Sequence, residues 1–296
     1  MKVAILLTCH NRRDLTRRLM DSLAISLREA AWEYQIFAND DGSTDGTNEI
    51  IKAAIEGSIV INGSGDDYWN GGMNRAWKTA KGQGFENFLW LNDDVVLFPD
   101  AIPLLEEEVE ATGHSELVVG AVRDSSGIDR TYGRVAMQGP NIIGNISYRV
   151  MSEMERNLPA NTMHGNCVFV PKVAFDELGM LDPYFKHQMG DFDYGVRACQ
   201  KGIGISECAS IVGICDEHPF SGSLYDASLQ SGQLTRQMKH PTGMPSPLEW
   251  TRFVSRISVW KAPIVFLRAG IRVMFPRIWA LFRQSDDEPS QRFGRD

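Results

Sequence analysis

The sequence predicts an α/β protein with a mostly parallel sheet covered by helices on both faces. In its first third, short apolar runs alternate with segments of helical spacing, and the run at 3–8 is apolar throughout, as in a strand buried on both faces. This alternation is typical of parallel βαβ units. In chain order, the predicted strands are at 3–8, 34–38, 58–61 and 88–91, and the predicted helices at 14–27, 48–55, 73–81 and 99–111.

The composition is that of a soluble globular protein and disfavours several functional classes. The chain has 296 residues, of which 43% are hydrophobic and 23% charged. A net charge of -8 argues against broad nucleic-acid binding, which needs a basic surface. Five cysteines without a Cys-x-x-Cys pair indicate reduced thiols in a cytosolic protein rather than disulfides or structural zinc.

Composition also predicts three parts along the chain. The main unit spans 1–225, a linker spans 226–249, and a basic helical C-terminal extension spans 250–296. The first apolar run is too short for a signal peptide, and no stretch of about 18 uncharged apolar residues predicts a simple spanning helix. The linker is indicated by its prolines, which are Pro241, Pro245 and Pro247.

Three polar clusters each follow a predicted strand directly. They lie at 8–12, 38–45 and 92–94. In parallel sheets, ligands bind beyond the carboxyl ends of the strands. The pattern therefore places all three clusters at one edge of the sheet and predicts a ligand site there.

The third cluster, Asn92-Asp93-Asp94, suits a divalent cation. Neighbouring carboxylates at a strand end can bind a hard cation that also takes diphosphate oxygens, and such a cation offsets charge on a leaving nucleoside diphosphate. The alternative is a capped turn before the next helix, since Asp and Asn favour turns.

The second cluster contains two candidate ligands for a nucleoside. Asp40 or Asp41 can accept hydrogen bonds from a pyrimidine base or a ribose hydroxyl. The alternative is a glycine-rich turn followed by a helix cap at Asp45 or Thr47.

Two further segments carry candidate chemistry. Asp191 can act as a general base near an acceptor hydroxyl, or cap a helix that runs to about Lys201. For Asp193 and Arg197 the spacing favours a structural i,i+4 ion pair. The segment 69–74 is predicted as a glycine-rich turn that opens a helix and lets backbone N–H groups approach phosphate or sugar.

In this order, the motifs resemble those of family 2 glycosyltransferases with the GT-A fold, in particular the bacterial rhamnosyltransferase-like branch. The resemblance covers about residues 3–220. It implies a nucleotide-sugar half at about 1–115 and an acceptor half at about 116–225. The matching pieces are Thr8-Cys9-His10-Asn11-Arg12, the segment 39–47, Trp69-Asn70-Gly71-Gly72-Met73-Asn74, Leu91-Asn92-Asp93-Asp94-Val95, His164-Gly165-Asn166, and Asp191-Phe192-Asp193 with Arg197.

The resemblance also implies roles for individual residues. Asp40 is expected to recognise the donor's base, with Asp41 beside it, and Asp191 to act as base in a single inverting displacement. Gly190 replaces the acid that usually precedes this base, so the choice between Asp191 and Asp193 stays open. The other expected donor-binding residues are Thr8, Asn11, Arg12, Asn74, Asn92 and Asp93; the acceptor-side residues are His164 and Asp193; and the ligands of Mg²⁺ or Mn²⁺ are Asp94 and His218.

The implied partners are a UDP-, dTDP- or GDP-linked sugar and a saccharide or lipid-linked acceptor in bacterial surface polysaccharide or glycolipid synthesis. The segment 263–282 is apolar but contains Arg268, Arg272 and Arg277. It suits either a helix in the interface of the cytoplasmic membrane's inner face or a helix packed on the protein.

Two other functions compete with this interpretation. A sugar-phosphate nucleotidyltransferase needs a glycine-rich phosphate loop after the first strand, where this chain has Cys9-His10-Asn11-Arg12-Arg13. A non-catalytic nucleotide- or saccharide-binding subunit is the second alternative, against which the intact set of Asp40, Asp94 and Asp191 argues.

Overall fold

The fold consists of a large sheet with helices on both faces and two smaller sheets beside it. In this computed structural model, the described residues are 1–142, 144–216, 236, 240–243 and 245–275. The strands, in chain order, are β1 (Lys2–Cys9), β2 (Glu33–Asp40), β3 (Ile59–Asn62), β4 (Asn87–Leu91), β5 (Val96–Leu97), β6 (Leu117–Val119), β7 (Val122–Arg123), β8 (Arg130–Tyr132), β9 (Arg134–Gln138), β10 (Ser147–Val150), β11 (Thr162–Met163), β12 (Cys167–Val170), β13 (Ile205–Glu207) and β14 (Gly213–Ile214). The helices are α1 (Arg13–Ser26), α2 (Thr47–Ala54), α3 (Tyr68–Gly82), α4 (Ala101–Ala111), α5 (Lys172–Leu178), α6 (Gly190–Gln200), α7 (Pro247–Ile257) and α8 (Ala262–Met274).

The large sheet confirms the predicted mostly parallel α/β architecture. Among the described residues it has seven strands in the order β13-β6-β12-β4-β1-β2-β3. The strands β3, β2, β1 and β4 run parallel, and β6 pairs with β13 in parallel. The strand β12 runs antiparallel between β4 and β6. The smaller sheets have the orders β10-β9-β11 and β5-β14-β7-β8.

Strand β1 is buried on both faces because successive side chains point to opposite sides of the sheet. On one face, Ile5 and Leu7 belong to the cluster that includes Leu23 of α1. On the other face, Leu6 belongs to the cluster that includes Trp77 of α3. The continuous apolar run of β1 therefore reflects burial between two helix layers.

The segment 69–74 forms part of a helix rather than the predicted turn. Helix α3 already begins at Tyr68. A Cβ atom on Gly72 would lie 2.1 Å from Thr8 Oγ1 and 2.9 Å from Asn39 Nδ2. Glycine is needed here because α3 approaches the ends of β1 and β2 closely.

The basic C-terminal segment begins with two helices that pack partly on the preceding domain. Ser246 accepts a hydrogen bond from the backbone N–H of Glu249 and forms a capping box at the start of α7. Phe253 of α7 and Val265 of α8 are buried, whereas Leu267 is 64% exposed. The described residues contain no helix long and apolar enough to cross a membrane.

Candidate active site at the carboxyl ends of the strands

The structure brings the three predicted polar clusters together. The guanidinium of Arg12, after β1, donates to Asp93 Oδ1 at 2.9 Å and to Asp94 Oδ2 at 2.8 Å, both after β4. Asn11 also lies after β1, where its backbone N–H donates to Ser43 Oγ at 2.9 Å. Asn11 Oδ1 accepts a hydrogen bond from the Thr44 backbone N–H at 2.8 Å. The loops after β1, β2 and β4 are thus joined by side-chain contacts.

Asp40 and Asp41 differ in their surroundings. Asp40 Oδ1 accepts one hydrogen bond, at 3.0 Å from the backbone N–H of Ser43. The carboxylate of Asp41 accepts three, from the backbone N–H groups of Gly65, Asp67 and Tyr68 at 2.7, 3.0 and 3.0 Å. Asp41 therefore holds the entrance to α3 in place, and both carboxylates are buried.

The charges of Asp93 and Asp94 are affected by burial, by each other and by Arg12. Burial raises the pKa of Asp93 to about 7; Arg12 lowers it, and Asp94 raises it further. Burial also works against the charge of Arg12, but Asp93 and Asp94 outweigh it and raise the pKa of Arg12. Cys215 lies beside them with its Sγ 3.5 Å from Asp94 Oδ1. One guanidinium thus faces two carboxylates.

The carboxylate oxygens of Asp93 and Asp94 suit a hard cation. Asp93 Oδ2 is buried and has no hydrogen-bond partner among the described residues, so the site has an unsatisfied carboxylate oxygen. Oxygen ligands of this kind suit Mg²⁺ or Mn²⁺. Within the part of the chain that the structure describes, no group of three or more His, Cys, Asp and Glu side chains could hold a metal. A cation here would need further ligands from a bound diphosphate.

The antiparallel strand β12 brings the acceptor-side motif next to Asn92. Because Cys167 pairs with Leu91, the residues before β12 lie beside those after β4, and the Asn92 N–H donates to the Asn166 carbonyl at 2.9 Å. Trp69 Nε1 donates to Asn92 Oδ1 at 2.7 Å. A Cβ atom on Gly165 would lie 2.9 Å from the Trp69 ring, which fixes Trp69 against this loop.

Asp191 lies on the other side of Gly165. A Cβ atom on Gly165 would lie 3.0 Å from the Asp191 Cβ, and the Gly165 N–H donates to Asp191 Oδ2 at 2.9 Å. The Phe192 N–H donates to Asp191 Oδ1 at 2.8 Å. Burial raises the pKa of Asp191 above its ordinary value, although these backbone hydrogen bonds lower it. Asp191 lies in the first turn of α6, whose N-cap residue is Met189 rather than Asp191.

Asp193 has a different environment from Asp191. Its side chain is fully buried, and Arg197 Nε donates to Oδ2 at 2.8 Å, which confirms the expected i,i+4 ion pair. Arg256 of α7 donates to the other oxygen at 3.0 Å. Both oxygens of Asp193 are thus bound by guanidinium groups, whereas Asp191 has no ion pair among the described residues.

The remaining predicted residues lie in varied places. Thr8 Oγ1 accepts a weak hydrogen bond from Asn39 at 3.4 Å. Asn74 lies on α3 and donates to the Leu181 carbonyl at 3.2 Å, so its amide links α3 to the segment before α6. His164 lies directly before Gly165, and its backbone N–H donates to the Gly133 carbonyl at 3.1 Å. His218 lies outside the described residues.

Several contacts of the site were not predicted from the sequence. The contact of Trp69 with Asn92 depends on two segments 23 residues apart, and that of Arg256 with Asp193 on segments 63 apart. Cys215 follows the short strand β14, and its position after an apolar run was the one available signal. The polar clusters could be predicted because each follows its own strand directly.

The fold and the strand-end site define a GT-A-like glycosyltransferase architecture, and the sequence comparison identifies the family. The sequence model described as glycosyl transferase family 2 matches residues 4–179, more than half of the chain. The chain therefore belongs to glycosyl transferase family 2. No curated protein sequence matches the chain significantly.

Solved structures of two glycosyltransferases are similar in fold. The mannosyltransferase PcManGT from Pyrobaculum calidifontis, solved with GDP-Man and Mn²⁺, superposes with a TM-score of 0.56 at 14% identity, over 96% of this chain and 72% of that one. TarS residues 1–349 from S. aureus, solved with UDP, has a TM-score of 0.55 at 13% identity, over 98% of this chain and 77% of that one. At these identities the likeness establishes the fold.

We expect Asp41→Asn to lower the free energy of unfolding by about 1–3 kcal/mol, since an amide cannot accept all three backbone hydrogen bonds without opposing one donor with its NH₂ group. Urea unfolding followed by circular dichroism measures this change. The control is Asp66→Asn, because Asp66 is exposed in the same turn. Equal effects of the two substitutions would contradict a structural role for the Asp41 carboxylate.

Proposed function

We propose that the protein transfers a sugar from a nucleoside-diphosphate sugar to an acceptor hydroxyl with inversion, in bacterial surface polysaccharide or glycolipid synthesis. One observation carries this proposal. The Asp191 carboxylate is connected to the Asn92-Asp93-Asp94 segment through Gly165 and Trp69, in contact at each step. A general base next to a candidate diphosphate site is the arrangement that a single displacement requires.

In the proposed reaction, Asp191 takes the proton of the acceptor hydroxyl while the hydroxyl oxygen attacks the anomeric carbon. The bond between that carbon and the diphosphate oxygen breaks, and the nucleoside diphosphate leaves with the bonding electron pair. Attack from the opposite side inverts the anomeric centre. Asp191 suits this role better than Asp193, because Arg197 and Arg256 bind both oxygens of Asp193.

The donor is proposed to lie across the ends of β1, β2 and β4. Asp40 accepts hydrogen bonds from the base or ribose, and Arg12 supplies positive charge next to the diphosphate. Thr8, Asn11, Asn74 and Asn92 complete the proposed donor contacts, while Asp41 holds the adjacent backbone. UDP-, dTDP- and GDP-linked sugars are all candidate donors.

Asp94, with Asp93, is proposed to hold Mg²⁺ or Mn²⁺. Such an ion, when bound, stabilises the negative charge that develops on the leaving diphosphate. The unsatisfied Asp93 Oδ2 supports this assignment. His218 stays a proposed additional ligand.

The C-terminal helices are proposed to lie on the cytoplasmic face of an anionic membrane. On and before α8, Trp260, Leu267 and Met274 are 93%, 64% and 66% exposed. Lys261 and Arg268 lie on the same segment, and no acidic residue occurs between Glu249 and Asp286. Exposed apolar side chains with adjacent basic groups match the interface of a membrane that carries anionic lipids.

We expect Asp191→Asn to lower the rate of nucleoside diphosphate release by about 10²–10⁴-fold, because an amide cannot accept the acceptor proton. The assay measures release from UDP-, dTDP- and GDP-sugars with Mn²⁺ present. The wild-type rate should fall as the pH decreases through the pKa of Asp191, which burial places above its ordinary value, because the base is active only when ionised.

The matched control for this experiment is Asp21→Asn, which changes an exposed carboxylate on α1. It should leave the rate unchanged, and Asp191→Asn should still be stabilised against heat by the nucleotide. Absence of release and of nucleotide stabilisation in the wild type would refute the proposed function.

We expect the protein to sediment with vesicles of phosphatidylglycerol and phosphatidylethanolamine, less so at high salt, and little with phosphatidylcholine alone. Leu267→Glu should abolish this binding by placing a charge on the exposed apolar side of α8. Met154→Glu is the control, because Met154 is 96% exposed in a different part of the chain. Equal losses in both variants, or no sedimentation of the wild type, would argue against the membrane surface.

A further inference from the structure

An aromatic cluster flanks Asp191. The ring centroids of His164 and Phe192 are 5.3 Å apart, and those of Tyr148 and Phe192 are 5.1 Å apart, with interplanar angles of 75° and 74°. Tyr132 contacts His164 in the same edge-to-face manner at 5.2 Å. These four residues come from β8, β10, the loop after β11, and α6, so the fold assembles the cluster from distant parts of the chain.

The aromatic cluster lies next to Asp191, the proposed base. His164 directly precedes Gly165, whose N–H donates to Asp191, and Phe192 directly follows Asp191. The hydroxyl of Thr162 also donates to the Phe192 carbonyl at 2.8 Å, which joins β11 to α6. A group lying on this cluster is therefore next to the carboxylate that takes the proton in the proposed function.

One ring of the cluster is buried and another is exposed. Phe192 is 7% exposed, while Tyr148 is 48% exposed. A single exposed aromatic side chain is common on protein surfaces. Tyr148, however, packs edge to face on both Phe192 and His164, so its ring is held in one orientation.

The histidine of the cluster carries no charge near neutral pH. Burial lowers the pKa of His164 to about 4, although its hydrogen bond with the Gly133 carbonyl raises it. Its imidazole is therefore neutral. A neutral aromatic surface suits a neutral ligand with polarised C–H groups, which meet the negative face of the ring.

The hairpin that carries Tyr148 is fixed by the C-terminal helices. Lys261 Nζ donates to the Asn141 carbonyl at 2.7 Å, and Arg268 donates to Asn145 Oδ1 at 2.9 Å. A Cβ atom on Gly144 would lie 2.3 Å from Val265, so the turn packs directly on α8. The exposed ring is thus positioned before any ligand binds, which lowers the entropic cost of binding.

We propose that Tyr148, together with His164 and Phe192, forms the subsite for the acceptor sugar, and that a hexopyranose ring stacks on Tyr148 with a hydroxyl near Asp191. This inference rests on the proposed function. A hexopyranose has a face of C–H groups and a rim of hydroxyl groups, which matches an aromatic ring beside a carboxylate. The donor's diphosphate is assigned elsewhere, to the ends of β1, β2 and β4.

Saturation-transfer difference NMR tests the subsite with methyl glycosides of glucose, galactose, mannose, rhamnose and N-acetylglucosamine as probes. Saturation should reach the C–H face of at least one glycoside bound to the wild type. It should fall to background in Tyr148→Ala and persist in Tyr148→Phe, which retains the ring. The control Tyr184→Ala removes another exposed tyrosine, 44% exposed and stacked with Arg252, and should leave the signal intact.

Equal signals in Tyr148→Ala and the wild type, or no signal for any glycoside, would overturn the subsite. An unchanged midpoint of thermal unfolding for Tyr148→Ala verifies that its fold is intact. If that midpoint changes, Tyr148→Phe still tests the subsite, because this variant retains the ring and should retain the signal. Nucleoside diphosphate release to water separates the two claims. Release without a glycoside signal refutes the subsite alone, whereas absence of release from every donor together with absence of thermal stabilisation by any nucleotide refutes the proposed function.

Discussion

The pairing of β12 with β4 is the constraint on which the site depends. The strand β12 is antiparallel to β4, so the start of one lies beside the end of the other. This register places Asn166 within hydrogen-bond distance of Asn92 and brings Gly165 against both Trp69 and Asp191. A parallel strand in this position would deliver its carboxyl end instead, and the loop that contacts Asp191 would lie at the opposite edge of the sheet.

Two sets of ion pairs then hold the halves of the site in position. Arg12 links the loop after β1 to both carboxylates after β4. On the other side, Asp193 is bound by Arg197 and by Arg256 of α7. Removing Arg12 would leave the buried Asp93 carboxylate without its positively charged partner. The helix that carries Asp191 is thereby fastened to the C-terminal extension, as is the hairpin that carries Tyr148.

The sequence predicted those features that depend on local order along the chain. The parallel strands followed from their apolar runs, and the convergence of the segments containing Arg12 and Asp94 followed from the geometry of parallel strands. The ion pair of Asp193 with Arg197 followed from helical spacing. Each of these needs only one element, or a general rule for joining neighbouring elements.

The features that the sequence did not predict depend on distant contacts. Glycines favoured a turn at Gly71 and Gly72, but close packing against β1 requires glycine inside a helix. The sequence places Asp41 beside the donor but does not indicate that its carboxylate accepts hydrogen bonds from backbone N–H groups up to 27 residues away. The aromatic cluster around His164 combines four separate segments. No periodicity within one segment reveals such contacts.

Calorimetric titration of UDP and GDP in the presence of Mn²⁺ or EDTA, in the wild type and in Asp94→Asn, tests the central claim most directly. The claim is that carboxylates at the end of β4 hold a cation that binds the donor's diphosphate. It predicts tighter binding of at least one nucleotide with Mn²⁺, and loss of that enhancement in Asp94→Asn. Equal affinity with Mn²⁺ and EDTA in the wild type, or an undiminished enhancement in the variant, would contradict it.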